Sequence, residues 1–285
     1  MRYKILKEKN KLNGNSGCKL IIYKDTIYKV RKYSTNKTNS NRLLKQYQKL
    51  NNFKNSIKIS TPKIYNISKA EELFYFDMEY INGSTLSLFL MSQPISITKK
   101  IINEILKFIF ECRKESSLKY KKKKILKKIQ ELKLKRKFKN KFFENIFQLL
   151  NDHDWMNIKK SDSHGDLSLE NIIINNRSIK FIDLSENFVN SYMLDISKIL
   201  FDLISYWSFR NTNLKVDILK INSMKNYLIK TFEKKLSDKE FNDIKMLIIL
   251  DFIRVLNYTK NKNEIKHLVK KLKIFYDNIN NTMRW

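Results

Sequence analysis

Two carboxylates and an amide stand at spacings that chemistry could use. The stretch Ser163-His164-Gly165-Asp166-Leu167-Ser168-Leu169-Glu170-Asn171 sets an Asp and an Asn five positions apart, and Asp183 follows twelve positions after Asn171. A loop Asp can take the proton of a hydroxyl nucleophile, while an Asn and a second Asp are oxygen donors suited to Mg²⁺ on phosphates. Ile172 to Ile174 and Ile179 to Ile182 are apolar runs beside these residues. The polar groups therefore sit at the ends of buried strands, where sites are built rather than cores. Each piece has an ordinary reading too, since H-G-D makes a turn and an Asp closes many strands. Their order, with Leu194-Asp195-Ile196 after them, sets the segment apart.

Strands must precede this segment and helices must surround it. Lys19 to Tyr23 and Ile27 to Val30 read as strands around a Lys24-Asp25-Thr26 turn, and Asn13 to Gly17 reads as a hairpin loop before them. Asn41 to Phe53 has Leu43, Leu44, Tyr47 and Leu50 at helical spacing. Leu73 to Ile81 is a buried-strand pattern that Asn82-Gly83 breaks. From Ser84 to about 150 the spacing turns helical, with Thr98 to Cys112 the clearest case. Arg113 to Lys141 is crowded with Lys and Arg, against Glu115 and Glu131 alone, yet Ile125, Ile129 and Leu132 keep a helical stripe. The stretch predicts an amphipathic helix with a very basic face. Met193 to Trp207 predicts a buried helix, with Asp195 near its start to cap it or to brace the loop before it. Helices are also predicted over 217–232, 238–258 and 264–279, and Trp155, Trp207 and Trp285 read as packing residues.

The 163–171 segment resembles the H-G-D-x-x-x-x-N loop of the aminoglycoside phosphotransferase and choline kinase-like families, small-molecule relatives of the protein kinases. The resemblance is sharp over 163–200 and holds in outline elsewhere. It implies an α+β, two-lobed protein-kinase-like fold. Residues 1–81 would form a nucleotide-binding lobe of antiparallel sheet plus one helix, and 82–285 a helical lobe with the catalytic loop and acceptor site. The implied reaction moves the γ-phosphoryl group of ATP, with Mg²⁺, to a hydroxyl of a small molecule. Asp166 would be the catalytic base, Asn171 and Asp183 the metal ligands, and His164 a brace for the loop. Lys29 is the candidate for the lysine on the phosphates, beneath a loop that includes Ser16 and Gly17. The backbone of Glu79, Tyr80 and Ile81 would edge the adenine. Gln46 stands where the families carry a Glu for the strand lysine, and no Asp or Glu occurs between Asp25 and Glu71. That contact would lack its charge.

Composition bounds the rest. A chain of 285 residues, 42% hydrophobic, can bury a sizeable core, and 4 Gly with 2 Pro suit a helix-rich protein. Cys18 and Cys112 make no disulfide framework or metal motif. No apolar run is long enough to span a membrane, and no signal-peptide core follows Met1-Arg2-Tyr3-Lys4, so a cytoplasmic setting is expected. The net charge of +30 could answer nucleic acid, anionic lipid or an anionic substrate, or reflect AT-rich coding. Few aromatics interleave the basic run and no nucleic-acid motif occurs, which argues against nucleic acid and leaves peripheral membrane contact open. The cluster Lys121 to Lys124 would repel a polycation. The expected acceptor is uncharged or anionic, such as a sugar-like intermediate of surface-polysaccharide assembly. Two alternatives stay open. A regulatory protein Ser/Thr kinase would use the same site, although Asp183-Leu184-Ser185 replaces D-F-G. A catalytically inactive nucleotide-binding module would fit the loss of the helix Glu.

Overall fold

The structure, a computed structural model, describes residues 4–9, 18–70, 73–114, 116, 118–119, 122–176, 178–210 and 215–280. In chain order the elements are strands β1 (Lys4–Lys9), β2 (Cys18–Lys24) and β3 (Tyr28–Ser34), helix α1 (Lys37–Asn51), then β4 (Ile59–Ser60), β5 (Ile64–Ala70), β6 (Leu73–Glu79) and β7 (Ser84–Thr85). Helices α2 (Leu86–Ser92) and α3 (Ile95–Lys114), strand β8 (Leu118–Lys119), α4 (Lys122–Lys133), α5 (Lys141–Asp152) and β9 (Lys159–Lys160) follow. The hairpin β10 (Ile172–Asn175) and β11 (Ser178–Phe181) leads to α6 (Tyr192–Ser205), α7 (Ile218–Lys235), α8 (Asp238–Tyr258) and α9 (Lys262–Asn280).

The chain divides into two compact units, Met1–Thr85 with Asn171–Glu186, and Leu86–Glu170 with Asn187–Trp285. The first holds a sheet in the order β1-β2-β3-β6-β5, antiparallel at each pairing. Alternation along β3 decides what each face does. Val30 and Lys32 lie opposite Met78 and Phe76, on the face that packs Leu43 of α1 against Phe74, Phe76 and Met78. Lys29 and Arg31 point to the other face, where Arg31 makes a bidentate pair with the fully buried Asp77 at 2.8 and 2.9 Å.

The boundary differs from the expected break after Ile81, because the hairpin is held by strands of the first unit. Ser84 and Thr85 pair with Ile174 and Ile173, and β4 pairs with β11 in parallel. Gly83 permits this approach, since a Cβ there would lie 2.5 Å from the Ile174 carbonyl oxygen and 2.7 Å from Ile173 Cγ2.

The second unit is helical. α6 is buried along nearly its whole length, starts at a Ser191 cap, and packs on α8, whose capping box joins Ser237 and Glu240. The basic stretch does not form one helix. α3 stops at Lys114, α4 runs only from Lys122 to Lys133, and a single 3-10 turn covers Arg136–Phe138. Ile125, Ile129 and Leu132 are buried as the stripe predicts. Lys137 turns inward and donates from Nζ to the Leu256 and Asn257 carbonyl oxygens at the end of α8, a helix terminus that favours a cation. Among the described residues no helix is long and apolar enough to cross a membrane.

Candidate active site

In the first unit the hairpin brings Asn171 and Asp183 to the same end of its ladder. Ile172 lies opposite Phe181, and the Ile182 N–H donates to the Asn171 carbonyl oxygen at 3.0 Å, so the next residue, Asp183, leaves the ladder beside Asn171. Asp183 adopts φ 58°, a left-handed conformation that Asp tolerates better than most side chains. Its Oδ1 accepts from Lys32 Nζ at 2.8 Å, with the lysine side chain 4% exposed and the Asp 38%. The chain beyond is tied to α1, where Lys49 donates to the Ser185 carbonyl oxygen at 2.7 Å. The donor set is one carboxylate and one amide. That fits Mg²⁺, which keeps water and takes its remaining oxygens from phosphates; it would not cage a metal by itself.

In the second unit the H-G-D loop is suspended from α6 by three side chains at positions 195, 198 and 202, one face of that helix. Asp195 accepts the His164 N–H at 2.6 Å and the Gly165 N–H at 2.8 Å, and Gly165 has φ 85°, which favours glycine. Lys198 reaches Asp166 Oδ1 at 3.3 Å. Asp202 accepts the Leu169 N–H at 2.6 Å and the Ser208 hydroxyl, while its Oδ1 is buried without a hydrogen-bond partner among the described residues. Burial pushes the Asp202 carboxyl up to about 7, against the lowering by these hydrogen bonds. His164 is fully buried and its Nδ1 accepts the Asp166 N–H at 3.2 Å, a contact within the loop.

Asp166 itself is neither sequestered nor neutral. Partial desolvation would raise its carboxyl, but the charges of Lys198 and Arg254 outweigh that and hold it below the usual carboxylate range. Lys198 is itself held by Asp251 at 3.0 Å, and Asp251 also accepts from Arg254 at 3.0 Å and Ser197 at 2.9 Å. Around this cluster Glu170 pairs with Arg210 at 3.1 Å, and Arg210 lies 3.9 Å over the Trp207 ring. Trp207 in turn meets the exposed Tyr258 edge-on at 6.5 Å.

One expected residue moves. Lys29 donates to Asp25 on its own hairpin turn at 2.7 Å, and that hydrogen bond pulls the Asp25 carboxyl down to about 2. The lysine on Asp183 is Lys32. An odd offset along a strand changes the face, so 29 and 32 cannot serve the same site. Gln46 lies half-buried on α1, and among the described residues no hydrogen bond joins it to Lys29 or Lys32; Lys32 has its charge partner in Asp183 instead. In the Glu79 to Ile81 segment, Glu79 N–H donates to the Lys63 carbonyl oxygen, Tyr80 N–H to that of Tyr28, and the Ile81 carbonyl oxygen accepts from Gly83. Ser16 and Gly17 lie outside the described residues. Sequence reasoning missed Lys198, Asp202, Asp251 and Arg254. The available signal was the spacing of Asp195, Lys198 and Asp202 along an otherwise apolar helix.

No protein-family model matches the sequence, and no curated protein matches it. Solved structures do. The chain is similar to the GDP and kanamycin complex of APH(2")-IIia, at 14% identity and TM-score 0.66, over 96% of this chain and 94% of that one. It is similar to choline kinase from Cryptosporidium parvum Iowa II, at 11% identity and TM-score 0.58, over 98% and 89%. It is also similar to the amicoumacin kinase hAmiN in complex with AMP-PNP, Ca²⁺ and Ami, at 12% identity and TM-score 0.51, over 97% and 88%. The fold is protein-kinase-like, α+β, as the motif implies.

Proposed function

We propose that this chain is a phosphotransferase that moves the γ-phosphoryl group of ATP, with Mg²⁺, to a hydroxyl of a small molecule. The observation that carries the reading is the Lys32–Asp183 pair beside Asn171, a buried cation suited to phosphate next to a carboxylate suited to a hard metal. Asn171 and Asp183 would hold the Mg²⁺, which when bound neutralises phosphate charge. Lys32 would bind phosphate oxygens, and the purine would be edged by backbone groups of Glu79, Tyr80 and Ile81 other than the Glu79 and Tyr80 N–H and the Ile81 carbonyl, which bond within the protein. Asp166 receives the proton of the acceptor hydroxyl as its oxygen bonds the γ-phosphorus and the bond to the bridging oxygen breaks, releasing ADP. Little covalent help is needed for so loose a transfer, so orientation of the hydroxyl is the main contribution of Asp166. The similarity to small-molecule kinases of three acceptor types supports this chemistry.

The acceptor in this reading is uncharged or anionic. Among the described residues near Asp166, Glu170 is paired with Arg210 and Asp251 with Lys198 and Arg254, while the buried Asp195 and Asp202 carboxylates accept from the loop backbone, so these carboxylates make a poor cradle for a polycation. Lys123, Lys124 and Lys127 of α4 are exposed. Tyr258, exposed beside Trp207, offers an apolar ring against which a sugar could lie. A sugar-like intermediate of surface-polysaccharide assembly, in a cytoplasmic setting, suits these features. The test is calorimetry of ATP and GTP with and without Mg²⁺ on the purified protein and on Asp183→Asn. Metal-dependent nucleotide binding that Asp183→Asn weakens is expected, and metal-independent binding or none overturns the assignment.

A further inference from the structure

We infer that Lys198, anchored by Asp251, is a positioning residue for Asp166. The inference rests on the phosphotransferase reading for its consequence, though the contact stands by itself. Lys198 is 7% exposed on its side chain and lies between two carboxylates, Asp166 Oδ1 at 3.3 Å and the fully buried Asp251 Oδ1 at 3.0 Å. A buried ammonium is retained only where charges compensate it. Asp251 meets that need and is itself fixed by Arg254 and Ser197, so the Lys198 contact to Asp166 is left over for function. The anchor comes from α8, where Asp251, Arg254 and Tyr258 share one helical face, and the contact is delivered from α6. Two helices from distant parts of the sequence thus hold one side of a carboxylate on a loop.

The effect is twofold. The ammonium fixes the rotamer of Asp166, so that the hydroxyl it orients meets the phosphorus in line. It also keeps the carboxylate ionised into acid, so the group is a proton acceptor over a wider pH range and a weaker base within it. Among the described residues, the charged and titratable groups that bear on Asp166 include Lys198 from α6, Arg254 and Tyr258 from α8, and His164 and Glu170 on its own loop. Lys198 is in direct contact with it.

The experiment compares the wild-type protein with Lys198→Gln, Lys198→Arg and the double variant Lys198→Gln/Asp251→Asn, which removes the fully buried Asp251 carboxylate together with its ammonium if the single variant folds poorly. The Asp166 carboxyl is followed by ¹³C NMR titration, assigned by its loss in Asp166→Asn. Turnover is read as ADP release from Mg·ATP with glucose, glucose 6-phosphate, choline and kanamycin as acceptors. In the Gln variants the Asp166 titration should move to higher pH, and kcat should fall on the order of 10²-fold with the nucleotide KM held within about threefold. Lys198→Arg should recover most of both. An unmoved titration in a folded Gln variant, or an unchanged kcat, overturns the inference. If the wild type transfers phosphate to no acceptor while the titration moves, the phosphotransferase reading fails and the Lys198 contact survives. If turnover is present and the titration is unmoved, the reverse holds.

Discussion

Asp166 has a shape as well as a charge to lose. Replacing it with Asn keeps the loop, since Asp195 holds the His164 and Gly165 N–H groups, and removes the proton acceptor. Turnover should fall by ~10²–10⁴-fold with nucleotide binding nearly intact, checked by ADP release and calorimetry. The lysine reassignment has its own test. Lys32→Ala should weaken Mg·ATP affinity by ~10-fold or more, the loss of a charge-assisted contact, while Lys29→Ala changes it by less than about threefold. The reverse order would restore Lys29. The loop and hairpin that carry Asp166, Asn171 and Asp183 were legible because apolar runs at short spacing flank them. Lys32 and Lys198 were not. Fifty-eight Lys and Arg in the chain make any one of them unremarked, and their roles depend on strand parity and on a helix distant in sequence.

At the scale of elements, α6 was legible as a buried helix from its apolar run, and its polar stripe reads clearly once the loop lies against it. Asp202 of that stripe makes a pH prediction. Its folded value of about 7 lies above the ordinary value of 3.8. The native state therefore binds the proton more tightly, and the stability this contributes is full below pH 4 and lost as pH rises through 7. It amounts to at most about 4 kcal/mol. Asp202→Asn should remove that slope between pH 4 and 7 in denaturant unfolding, and an unchanged slope would show that Asp202 titrates as an ordinary carboxylate. Gly83 tests the hairpin. Gly83→Ala must move β10 or strain the close approach to Ile174, so a loss of ~1–3 kcal/mol is expected in thermal unfolding, with weaker nucleotide binding. The expected basic helix over 113–141 failed for a local reason. Its stripe of Ile125, Ile129 and Leu132 spans only the length of α4, and beyond it the chain breaks helical phase to bury Phe138 on a 3-10 turn and send Lys137 to the end of α8.

For the molecule as a whole, the kinase-like fold was legible from the motif together with the change from strand to helix spacing near residue 84. Its division into units was not, because the hairpin at 172–181 pairs on either side with the short strands β4 and β7 from before residue 86, and backbone pairing leaves little mark on side-chain type. The charge of +30 acts at this scale. If the acceptor is anionic, kcat/KM should fall as salt rises, since such attraction is screened over ~10 Å at 0.1 M. Lys123→Glu with Lys124→Glu should reproduce part of that fall, and a salt-independent rate would show that these lysines do not steer. The central claim is phosphoryl transfer through Asp166. It is tested most directly by ³¹P NMR of the protein with Mg·ATP and a panel of sugars, sugar phosphates, choline and kanamycin, beside the Asp166→Asn variant. The account predicts a phosphomonoester of an uncharged or anionic acceptor, formed with ADP and reduced by ~10²–10⁴-fold in the variant. A phosphomonoester formed equally by Asp166→Asn, or nucleotide consumed to free phosphate alone whichever acceptor is present, would contradict it.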